Sequence, residues 1–461
     1  MILKLIKNFF SKPAGAALSL PAEPVIIPRS AHPISRKQIS PNALKVLYRL
    51  REAGFAVYLV GGCVRDLLLG REPQDFDVAT NAEPEQIHDL FRSAIIIGRR
   101  FRLVHVRFWN EIIEVATFRQ GGFVPDDEKQ HNQHGMIVRD NQYGSINEDV
   151  IRRDFTVNAL YYNIMDFSVI DFMGGVQDIE AGVLRIIGDP LTRFREDPVR
   201  ILRAIRFAAK LGFSIEPDTK AAIPETAPLL THVAPARLFD EALKLLSSGF
   251  GAEAFVLLRR YDLLSYLFPM TEKVLHDVNI HQEADNFFIT MLRNTDSRIA
   301  DRKGINPSFM LAAMLWYSRQ QRILELLNDE LPMMVAHEQA ANEVLAQQIK
   351  HTAIPRRLTN MVREIWQLQF HLEKRRPHRV KGLLVLHRFR LGYDFLLLRA
   401  EVEPGLSSVA QWWTELYDAD EARRDEMIEA LLKKPKKKGR RKKTKEPKVV
   451  EILPTEDDKT I

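Results

Sequence analysis

Apolar residues follow two different patterns in the two halves of this 461-residue chain. Up to about residue 190, runs with the two-residue alternation of strands, such as AVYLV, DFDVAT, FRLVHVRFW and EIIEVATFR, are interspersed with the helical segments NALKVLYRLREAG and PEQIHDLF. Beyond residue 190 the apolar positions recur with the helical period, as in PVRILRAIRFAAKLG and ARLFDEALKLLSS. We therefore predict the α+β class, with a head of strands and helices followed by an all-helical region.

The N-terminal end departs from both patterns. Residues 1–39 contain prolines at positions 13, 21, 24, 28 and 33, so we predict a flexible segment there, with the folded part beginning near Ser40. The first residues, MILKLIKNFFSK, are basic and amphipathic, which leaves weak contact with a membrane surface open. Uninterrupted apolar runs stay well below the roughly 18 residues of a membrane span, so the sequence predicts no transmembrane segment.

Positive charge is concentrated close to the C-terminus. Residues 433–448, KKPKKKGRRKKTKEPK, hold eleven Lys or Arg and one Glu, whereas the rest of the chain holds 55 basic and 59 acidic residues. A run of like charge without apolar residues does not fold by itself, so we predict that 433–461 is a disordered basic arm. The arm either solubilises the chain or binds RNA phosphates, and the acidic remainder favours the second.

The remaining composition is that of a folded protein of a reducing compartment. Apolar residues make up 46% of the chain and charged residues 27%, which is close to the average of globular proteins. The length predicts two or three domains. The single cysteine, Cys63, excludes an intramolecular disulfide and a cysteine-based zinc cluster, and it favours a cytoplasmic location.

Two glycines and two aspartates stand close together in the stretch from Ala56 to Thr80, AVYLVGGCVRDLLLGREPQDFDVAT. Asp75 and Asp77 are two residues apart in a predicted strand, so their carboxylates project to the same side. Adjacent anions repel one another unless a divalent cation compensates them, and Mg²⁺ prefers oxygen ligands of this kind. Gly61 and Gly62 lie between a strand and a helix, where free backbone N–H groups suit a phosphate. The combination indicates a nucleotide site.

The order and spacing GG-C-V-R-D-LLLG-REPQ-D-F-D resemble the signature of the nucleotidyltransferases that extend RNA 3′ ends without a template. This superfamily, which is similar to polymerase beta in its catalytic head, includes transfer-RNA CCA-adding enzymes and bacterial poly(A) polymerases. The resemblance implies a head with a mixed sheet and two Mg²⁺ ions held by Asp75 and Asp77. It also implies that Gly61, Gly62 and Arg65 lie against the nucleotide.

A second stretch, IRRDFTVNAL at 151–160, resembles the next motif of this family. The resemblance implies that Arg153 contacts the incoming nucleotide and that Asp154 is the third carboxylate of the active site. The alternative for this stretch is a helix cap with a salt bridge. Glu114, in the predicted strand EIIEVATFR, is a rival third carboxylate. We rank Asp154 first because its motif matches, and we keep Glu114 as a supporting group.

The third motif, EDPVRILRAIRFAAKLGF, resembles the helix that reads the incoming base in this family. Four of its residues recur every three positions and are predicted to form a polar stripe on one helix: Asp197, Arg200, Arg203 and Arg206. The resemblance implies that Asp197 as acceptor and Arg200 as donor select adenine, with the next two arginines in support. The alternative is that Asp197 and Arg200 form an ordinary ion pair worth a few tenths of a kcal/mol.

The segment IIIGRRFRLVHVRF at 95–108 separates the members of the family. It resembles the stretch that marks bacterial poly(A) polymerases rather than CCA-adding enzymes, and the residues in place are Gly98, Arg99, Arg100, Phe101 and His105. The basic arm agrees with this, because a polymerase that acts on diverse RNA ends needs binding that is independent of sequence.

The resemblance therefore implies template-independent polyadenylation of RNA. AMP would pass from ATP, the substrate, to the 3′ hydroxyl of a single-stranded RNA end, pyrophosphate would leave, and the tail would promote RNA decay. We predict the nucleotidyltransferase head at 40–190, a neck at 191–270 that reads the base and binds RNA, and a body and tail at 271–432. CCA addition to transfer RNA is the first alternative, and a catalytically silent RNA-binding scaffold is the second.

Overall fold

The structure of the chain is a computed structural model that describes residues 23–98, 102–120, 130–131, 137–139 and 143–432. Residues 1–22 of the predicted N-terminal segment, the three residues Arg99, Arg100 and Phe101, and the basic arm 433–461 lie outside the described residues. None of the described helices combines the length and the apolar character that crossing a bilayer requires.

An eight-stranded mixed sheet forms the centre of the N-terminal half, in the order β1-β10-β9-β2-β3-β6-β5-β4. Neighbouring strands of the sheet are antiparallel, except for β3 and β6, which run parallel. The predicted mixed sheet is therefore confirmed. Two further pairs, β7 with β8 and β11 with β12, stand apart from it. The strands are β1 (Val25–Ile27), β2 (Val57–Val60), β3 (Asp77–Thr80), β4 (Ala94–Ile97), β5 (Leu103–Arg107), β6 (Ile112–Thr117), β7 (Gln130–His131), β8 (Ile137–Arg139), β9 (Leu160–Asn163), β10 (Val169–Asp171), β11 (Val183–Leu184) and β12 (Ser214–Ile215).

Helices surround the sheet and then form the rest of the described chain. Those of the sheet region are α1 (Pro41–Glu52), α2 (Gly62–Leu68), α3 (Pro84–Leu90), α4 (Ile146–Ile151) and α5 (Gly175–Ala181). Those that follow are α6 (Pro190–Glu196), α7 (Val199–Leu211), α8 (Pro217–Thr226), α9 (Pro235–Leu246), α10 (Gly251–Arg260), α11 (Leu264–Leu267), α12 (Pro269–Leu275), α13 (His281–Ala300), α14 (Pro307–Met314), α15 (Trp316–Asn328), α16 (Met333–His351), α17 (Arg356–Lys374), α18 (Pro377–Leu384), α19 (Phe389–Val402), α20 (Ser407–Asp418) and α21 (Glu421–Leu432). The predicted helical second half is confirmed, apart from the two-residue strand β12.

The two faces of the sheet are covered differently. Helix α1 packs across β2, β3 and β6, where it meets the apolar residues Leu59, Val78 and Val115. Because side chains alternate along a strand, Ala79 lies on the other face, in a separate cluster with Tyr161. Asp77 is two residues from Ala79, so its side chain is on the face opposite to α1.

The N-terminal boundary predicted from the prolines is wrong. Residues 25–27 form β1, which pairs antiparallel with β10 at the edge of the sheet, and the following residues Ile34 and Ile39 are buried. The prolines at positions 24 and 28 flank β1, which is compatible with an edge strand because one side of such a strand needs no ladder hydrogen bonds. The ordered part of the chain therefore includes at least residues 25–39.

Head and helical region are joined by a continuous core. One apolar cluster extends from Ile34 of the head to Leu398 of α19, and a second one holds the last helices together. Strand β11 of the head also pairs in parallel with β12, on the far side of residue 190. The domain boundaries at 190 and 270 remain predictions.

Candidate active site

Three side chains form a row across three neighbouring strands at one end of the sheet. Asp77, the first residue of β3, is in register with Glu114 of β6, and Glu114 is in register with His105 of β5. Residues in register project to the same face of a sheet. His105 Nε2 lies 3.2 Å from Glu114 Oε1. His105, which belongs to the segment 95–108 singled out by its resemblance, is thus on the same surface as Asp77.

Asp75 lies just before β3 rather than within it, because the strand begins at Asp77. The predicted alternation still holds, since Phe76 and Val78 are buried and Asp75 is exposed. Burial, followed by the charges of Glu114 and Asp75, raises the pKa of Asp77 to about 6 against the opposing effect of a nearby arginine. The carboxylates therefore repel one another in this part of the sheet.

The two glycines bring the backbone close to these acids. Gly61 follows β2 with φ +78°, a left-handed conformation that favours glycine, and Gly62 begins α2. A Cβ atom on Gly61 would lie 3.9 Å from Asp77 Oδ2 and 3.7 Å from Arg153 Nη1. Any side chain at Gly61 would therefore take space directly between an acidic and a basic group of the predicted site.

Arg153 is fixed by the buried residue Asp149. Its Nε and Nη2 donate to Asp149 Oδ2 at 3.1 and 2.8 Å, and its Nε also donates to Tyr161 Oη at 2.9 Å. Tyr161 Oη donates in turn to Asp149 Oδ2 at 2.7 Å. These hydrogen bonds use Nε and Nη2 of Arg153, whereas its third nitrogen, Nη1, lies on the side of Gly61. The sequence interpretation missed Asp149, although its spacing from two arginines, Arg152 and Arg153, is that of helical ion pairs.

Asp154 is bound to the neck rather than to the row of acids. Arg203 of α7 donates to Asp154 Oδ2 from Nε at 2.7 Å and lies at 2.5 Å through Nη2. Asn158 Nδ2 and the backbone N–H of Phe155 donate to Oδ1. Burial alone would raise the pKa of Asp154, but Arg203 and these hydrogen bonds lower it to about 2. Between the two candidates for the third carboxylate, Glu114 is the one that adjoins Asp77.

Arg65 is almost fully buried and bonded within the protein. Its Nε and Nη2 donate to Asp66 Oδ1, and its Nη1 donates to Asn158 Oδ1 at 2.5 Å. Its guanidinium also lies 5.3 Å from the ring centroid of Phe207 on α7. In this arrangement Arg65 orients Asn158, which in turn donates to Asp154. The predicted contact of Arg65 with the nucleotide stays a prediction, and it would require these hydrogen bonds to break.

The predicted stripe on one helix is wrong at its first member. Asp197 lies in the break between α6 and α7, where its Oδ1 accepts from the backbone N–H of Val199 at 3.3 Å and its Oδ2 from Arg237 Nη2 at 2.9 Å. A residue before a proline, here Pro198, avoids the helical conformation. Asp197 therefore caps α7 from outside.

The arginines of α7 have protein partners of their own. Arg200 Nη1 donates to Glu196 Oε2 at 2.9 Å and to the backbone carbonyl of Arg193 at 2.8 Å. Arg206 lies over the ring of Phe207 at 4.7 Å, and its Nε is buried without a hydrogen-bond partner. Burial, and then the charge of Arg203, lowers the pKa of Arg206. The helix thus presents several cations next to the head.

The donor set around Asp77 fits a divalent cation that shares its coordination with a substrate. No three His, Cys, Asp or Glu side chains of the described residues are close enough to hold a metal ion by themselves. Mg²⁺ usually takes only one or two carboxylates and completes its shell with water and substrate phosphates. Asp77 is in register with Glu114, and burial together with the charge of Glu114 raises the pKa of Asp77, so a bound cation would relieve the repulsion between these two carboxylates.

Three family models match successive parts of the chain. They are the Poly A polymerase head domain at residues 57–185, the Probable RNA and SrmB- binding site of polymerase A at 212–275, and the Polymerase A arginine-rich C-terminus at 329–447. The first contains the row Asp77, Glu114 and His105, and the second begins at the end of α7.

Curated relatives agree with these matches over almost the whole length. Poly(A) polymerase I of Salmonella typhi is 48% identical over 422 residues, which are 90% of this chain and 90% of that protein. The chain belongs to the bacterial poly(A) polymerase family. The CCA-adding enzyme of Geobacillus thermodenitrificans is 41% identical over 232 residues, which are 50% of this chain and 55% of that enzyme. Likeness to poly(A) polymerases thus extends over the helical half, whereas likeness to this CCA-adding enzyme is confined to about half of the chain.

Solved structures give the same fold. The Thermotoga maritima CCA-adding enzyme complexed with tRNA superposes with a TM-score of 0.55 at 22% identity, covering 83% of this chain and 84% of that one. The predicted head with a mixed sheet, followed by a helical region, is therefore confirmed as a fold that the poly(A) polymerase family shares with CCA-adding enzymes.

Proposed function

We propose that this chain is a polynucleotide adenylyltransferase that transfers AMP from ATP to RNA 3′ hydroxyls, repeatedly and without a template, releasing pyrophosphate. The observation that carries the proposal is the adjacency of Asp77, Glu114 and Gly61 in a chain that is 48% identical to poly(A) polymerase I over nine-tenths of its length. Acids beside a glycine turn are suited to bind a metal–triphosphate complex.

The acidic row would hold the magnesium that the reaction needs. We propose that Asp75 and Asp77 bind two Mg²⁺ ions, and that Glu114 rather than Asp154 is the third carboxylate, because Asp154 is ion-paired with Arg203. When bound, such ions lower the pKa of the attacking hydroxyl and stabilise the leaving pyrophosphate. The side chains themselves provide the position of the reactants and the balance of charge, on which phosphoryl transfer mainly depends.

Arg153 and the glycines would hold the triphosphate. Arg153 Nη1 is on the side of Gly61, and Asp149 with Tyr161 fixes the rest of the guanidinium. The absence of side chains at Gly61 and Gly62 lets phosphate oxygens approach the backbone. Because Arg153 is already oriented, little side-chain entropy is lost when the nucleotide binds.

The neck would select adenine. Asp197, held by Arg237 and by the start of α7, offers a fixed acceptor, and Arg200 offers donors that Glu196 holds in place. Arg203 and Arg206 would support them, Arg203 through its bond to Asp154. An acceptor and a donor at fixed positions can distinguish adenine from the other bases by hydrogen bonding.

RNA would be held by the helical region and by the basic arm. The family model at 212–275 describes a probable RNA-binding site, and residues 433–448 add eleven basic residues that can bind phosphates of any sequence. We further propose a cytoplasmic location, because the one cysteine of the chain suits a reducing compartment, and a role in RNA decay.

The experiment is incubation of the purified full-length protein with Mg²⁺, a labelled oligoribonucleotide and each nucleoside triphosphate separately. A long tail made from ATP alone is expected. Asp77→Asn should abolish it, whereas Asp89→Asn, an exposed aspartate on α3, should leave it intact. Full activity of D77N would favour the catalytically silent scaffold.

CCA addition is the second candidate, because 232 residues, about half of this chain, are 41% identical to a CCA-adding enzyme. The same assay with a transfer RNA that lacks its CCA end separates the two functions. Addition of only one to three nucleotides, with CTP required, would replace polyadenylation by CCA addition. Continued growth of the product with ATP alone would exclude it.

A further inference from the structure

The helical body contains a second cavity, of about 320 Å³, that shares no residue with the row Asp77, Glu114 and His105. Residues of α15, α16, α17 and α19 line it. A cavity of this size is at the lower end of the range for small-molecule sites, which is about 300–1,000 Å³. It is large enough for a small organic molecule and larger than a simple inorganic ion needs.

A buried guanidinium with few partners lies in the wall of this cavity. Arg319 is 2% exposed and packs between Trp316 and Trp366, with its Cζ 5.5 and 5.4 Å from their ring centroids. Among the described residues, the one hydrogen-bond acceptor of its guanidinium is His337 Nδ1, at 3.0 Å, and its Nε is buried without any partner. Arginine has five N–H donors, so this group is strongly under-satisfied.

The neighbouring acid does not neutralise Arg319 by direct contact. Glu373, which also lines the cavity, forms its ion pair with Arg399 at 2.5 Å. Burial, and then the charge of Arg399, lowers the pKa of Arg319 to about 10, so Arg319 remains charged at neutral pH. A buried charge without a bonded counter-ion destabilises a folded protein, which suggests that the missing acceptor comes from a ligand.

Further donors and an apolar rim surround Arg319. Because arginine can only donate, His337 Nδ1 must accept, which puts the histidine proton on Nε2 as another donor. Lys374 lies at the mouth, with its Nζ 3.8 Å above the ring of Phe370. The exposed residues Leu324 and Met333 complete the lining with apolar surface. The cavity thus has a donor-rich floor and an apolar entrance.

We propose that this cavity binds a small organic phosphate, with its phosphate on Arg319 and Lys374 and its organic part on Leu324, Met333 and Phe370. The lining holds three cations, of which Arg399 is paired with Glu373. The other two, Arg319 and Lys374, match a phosphate dianion better than a single carboxylate. The apolar entrance favours a phosphate ester with a body of about mononucleotide size over inorganic phosphate. The site is separate from the head and would bind its ligand without RNA.

The test is calorimetric titration of the full-length protein with AMP, ribose 5-phosphate, inorganic phosphate and adenosine, in buffer with EDTA. One site for AMP is expected, with weaker binding of the other two phosphates and none of adenosine. Lys374→Gln should weaken AMP binding roughly tenfold, and Arg319→Met should weaken it by about 100-fold or more. Lys350→Gln, an exposed lysine of α16 that does not line the cavity, is the matched control and should bind as the wild type does.

The variants also separate this site from the catalytic one. AMP binding that is unchanged in K374Q and R319M, or that is lost in D77N, would assign the nucleotide to the head and overturn the proposal. The absence of any phosphate binding would overturn it too. K374Q should retain the polyadenylation activity of the wild type. R319M should have an equal or higher Tm without ligand, since it removes an unsatisfied charge; a lower Tm would mean that Arg319 serves only the fold.

Discussion

Glu114 is in register with Asp77 on the parallel strand pair β3–β6, and this relationship defines the acidic edge of the sheet. Burial and the neighbouring charges of Glu114 and Asp75 raise the pKa of Asp77 to about 6. The head thus holds acids together although their repulsion disfavours the folded state. Such an arrangement is retained where a ligand restores the balance of charge, and the ligand that we propose here is a metal-bound triphosphate.

Glu114→Gln tests the choice of the third carboxylate. We expect E114Q to lower kcat/KM for ATP by about tenfold to 100-fold and to raise the Mg²⁺ concentration needed for half-maximal rate, because a charge next to Asp77 is lost. Glu52→Gln, an exposed residue of α1 on the opposite side of the sheet, should have no effect. If D154N rather than E114Q changed the Mg²⁺ requirement, Asp154 would be the third carboxylate.

Asp77→Asn should stabilise the metal-free protein at neutral pH. Well below pH 3.8, the ordinary pKa of this carboxyl, it is protonated in both states, so wild type and variant should match. Between about pH 4 and 6 the unfolded chain releases its proton while the folded protein keeps it, so wild-type stability falls as pH rises. Above pH 6 the difference is complete, at most about 3 kcal/mol. Urea unfolding in EDTA at pH 3 and 8 measures it.

The control for this pH dependence is Asp89→Asn, because Asp89 is exposed. Its free energy of unfolding should differ from that of the wild type by the same small amount at both pH values. If D77N were less stable than the wild type at pH 8, the ionised carboxylate of Asp77 would not destabilise the folded protein, and the prediction would be wrong. Addition of Mg²⁺ and ATP should stabilise the wild type more than D77N.

Local patterns in the sequence were enough to predict the elements of the site but not their lateral order. The glycine turn and the alternation around Asp77 follow from neighbouring residues. The contact of Asp77 with Glu114 depends on β3 pairing with β6, two strands separated by a helix and a hairpin, and no local pattern encodes that choice. Glu114 therefore ranked below Asp154, whose motif was recognisable.

Two other differences have physical reasons that can be read in hindsight. Pro198 excludes Asp197 from helix α7. The sequence could therefore have predicted a polar stripe on this helix that contains the three arginines without Asp197. Strand β1 has only three residues between prolines, and its stability comes from pairing with β10, which is distant in sequence. The partners of Arg153 and Arg203 also come from packing between elements rather than from spacing alone.

The ion pair between Asp154 of the head and Arg203 of the neck should contribute to the free energy of unfolding. A double-mutant cycle with Asp154→Asn and Arg203→Gln is expected to give a coupling free energy of about 1–3 kcal/mol at pH 7. The pKa of Asp154 is lowered to about 2, so this stabilisation is complete above pH 4 and is lost as the pH falls towards 2. The coupling at pH 3 should accordingly be smaller.

The exposed pair Arg195–Glu225 is the control for this cycle. Both side chains are more than half exposed, so their coupling should stay below about 1 kcal/mol. Unfolding by urea, followed by circular dichroism, measures the seven proteins of the two cycles, which share the wild type. Equal couplings for the two pairs would mean that the contact between Asp154 and Arg203 contributes nothing beyond a surface ion pair.

Asp197→Asn should relax the choice of nucleotide while leaving the chemistry in place. Arg237 and the start of α7 hold this carboxylate as a fixed acceptor, and an amide in its place can present a donor to the base instead. We expect the ratio of kcat/KM for ATP to that for GTP to fall by about tenfold to 100-fold. Asp240→Asn, an exposed aspartate of α9, should keep the wild-type ratio. Single-nucleotide addition to a labelled RNA gives both constants, and an unchanged ratio in D197N would mean that adenine is recognised by other residues.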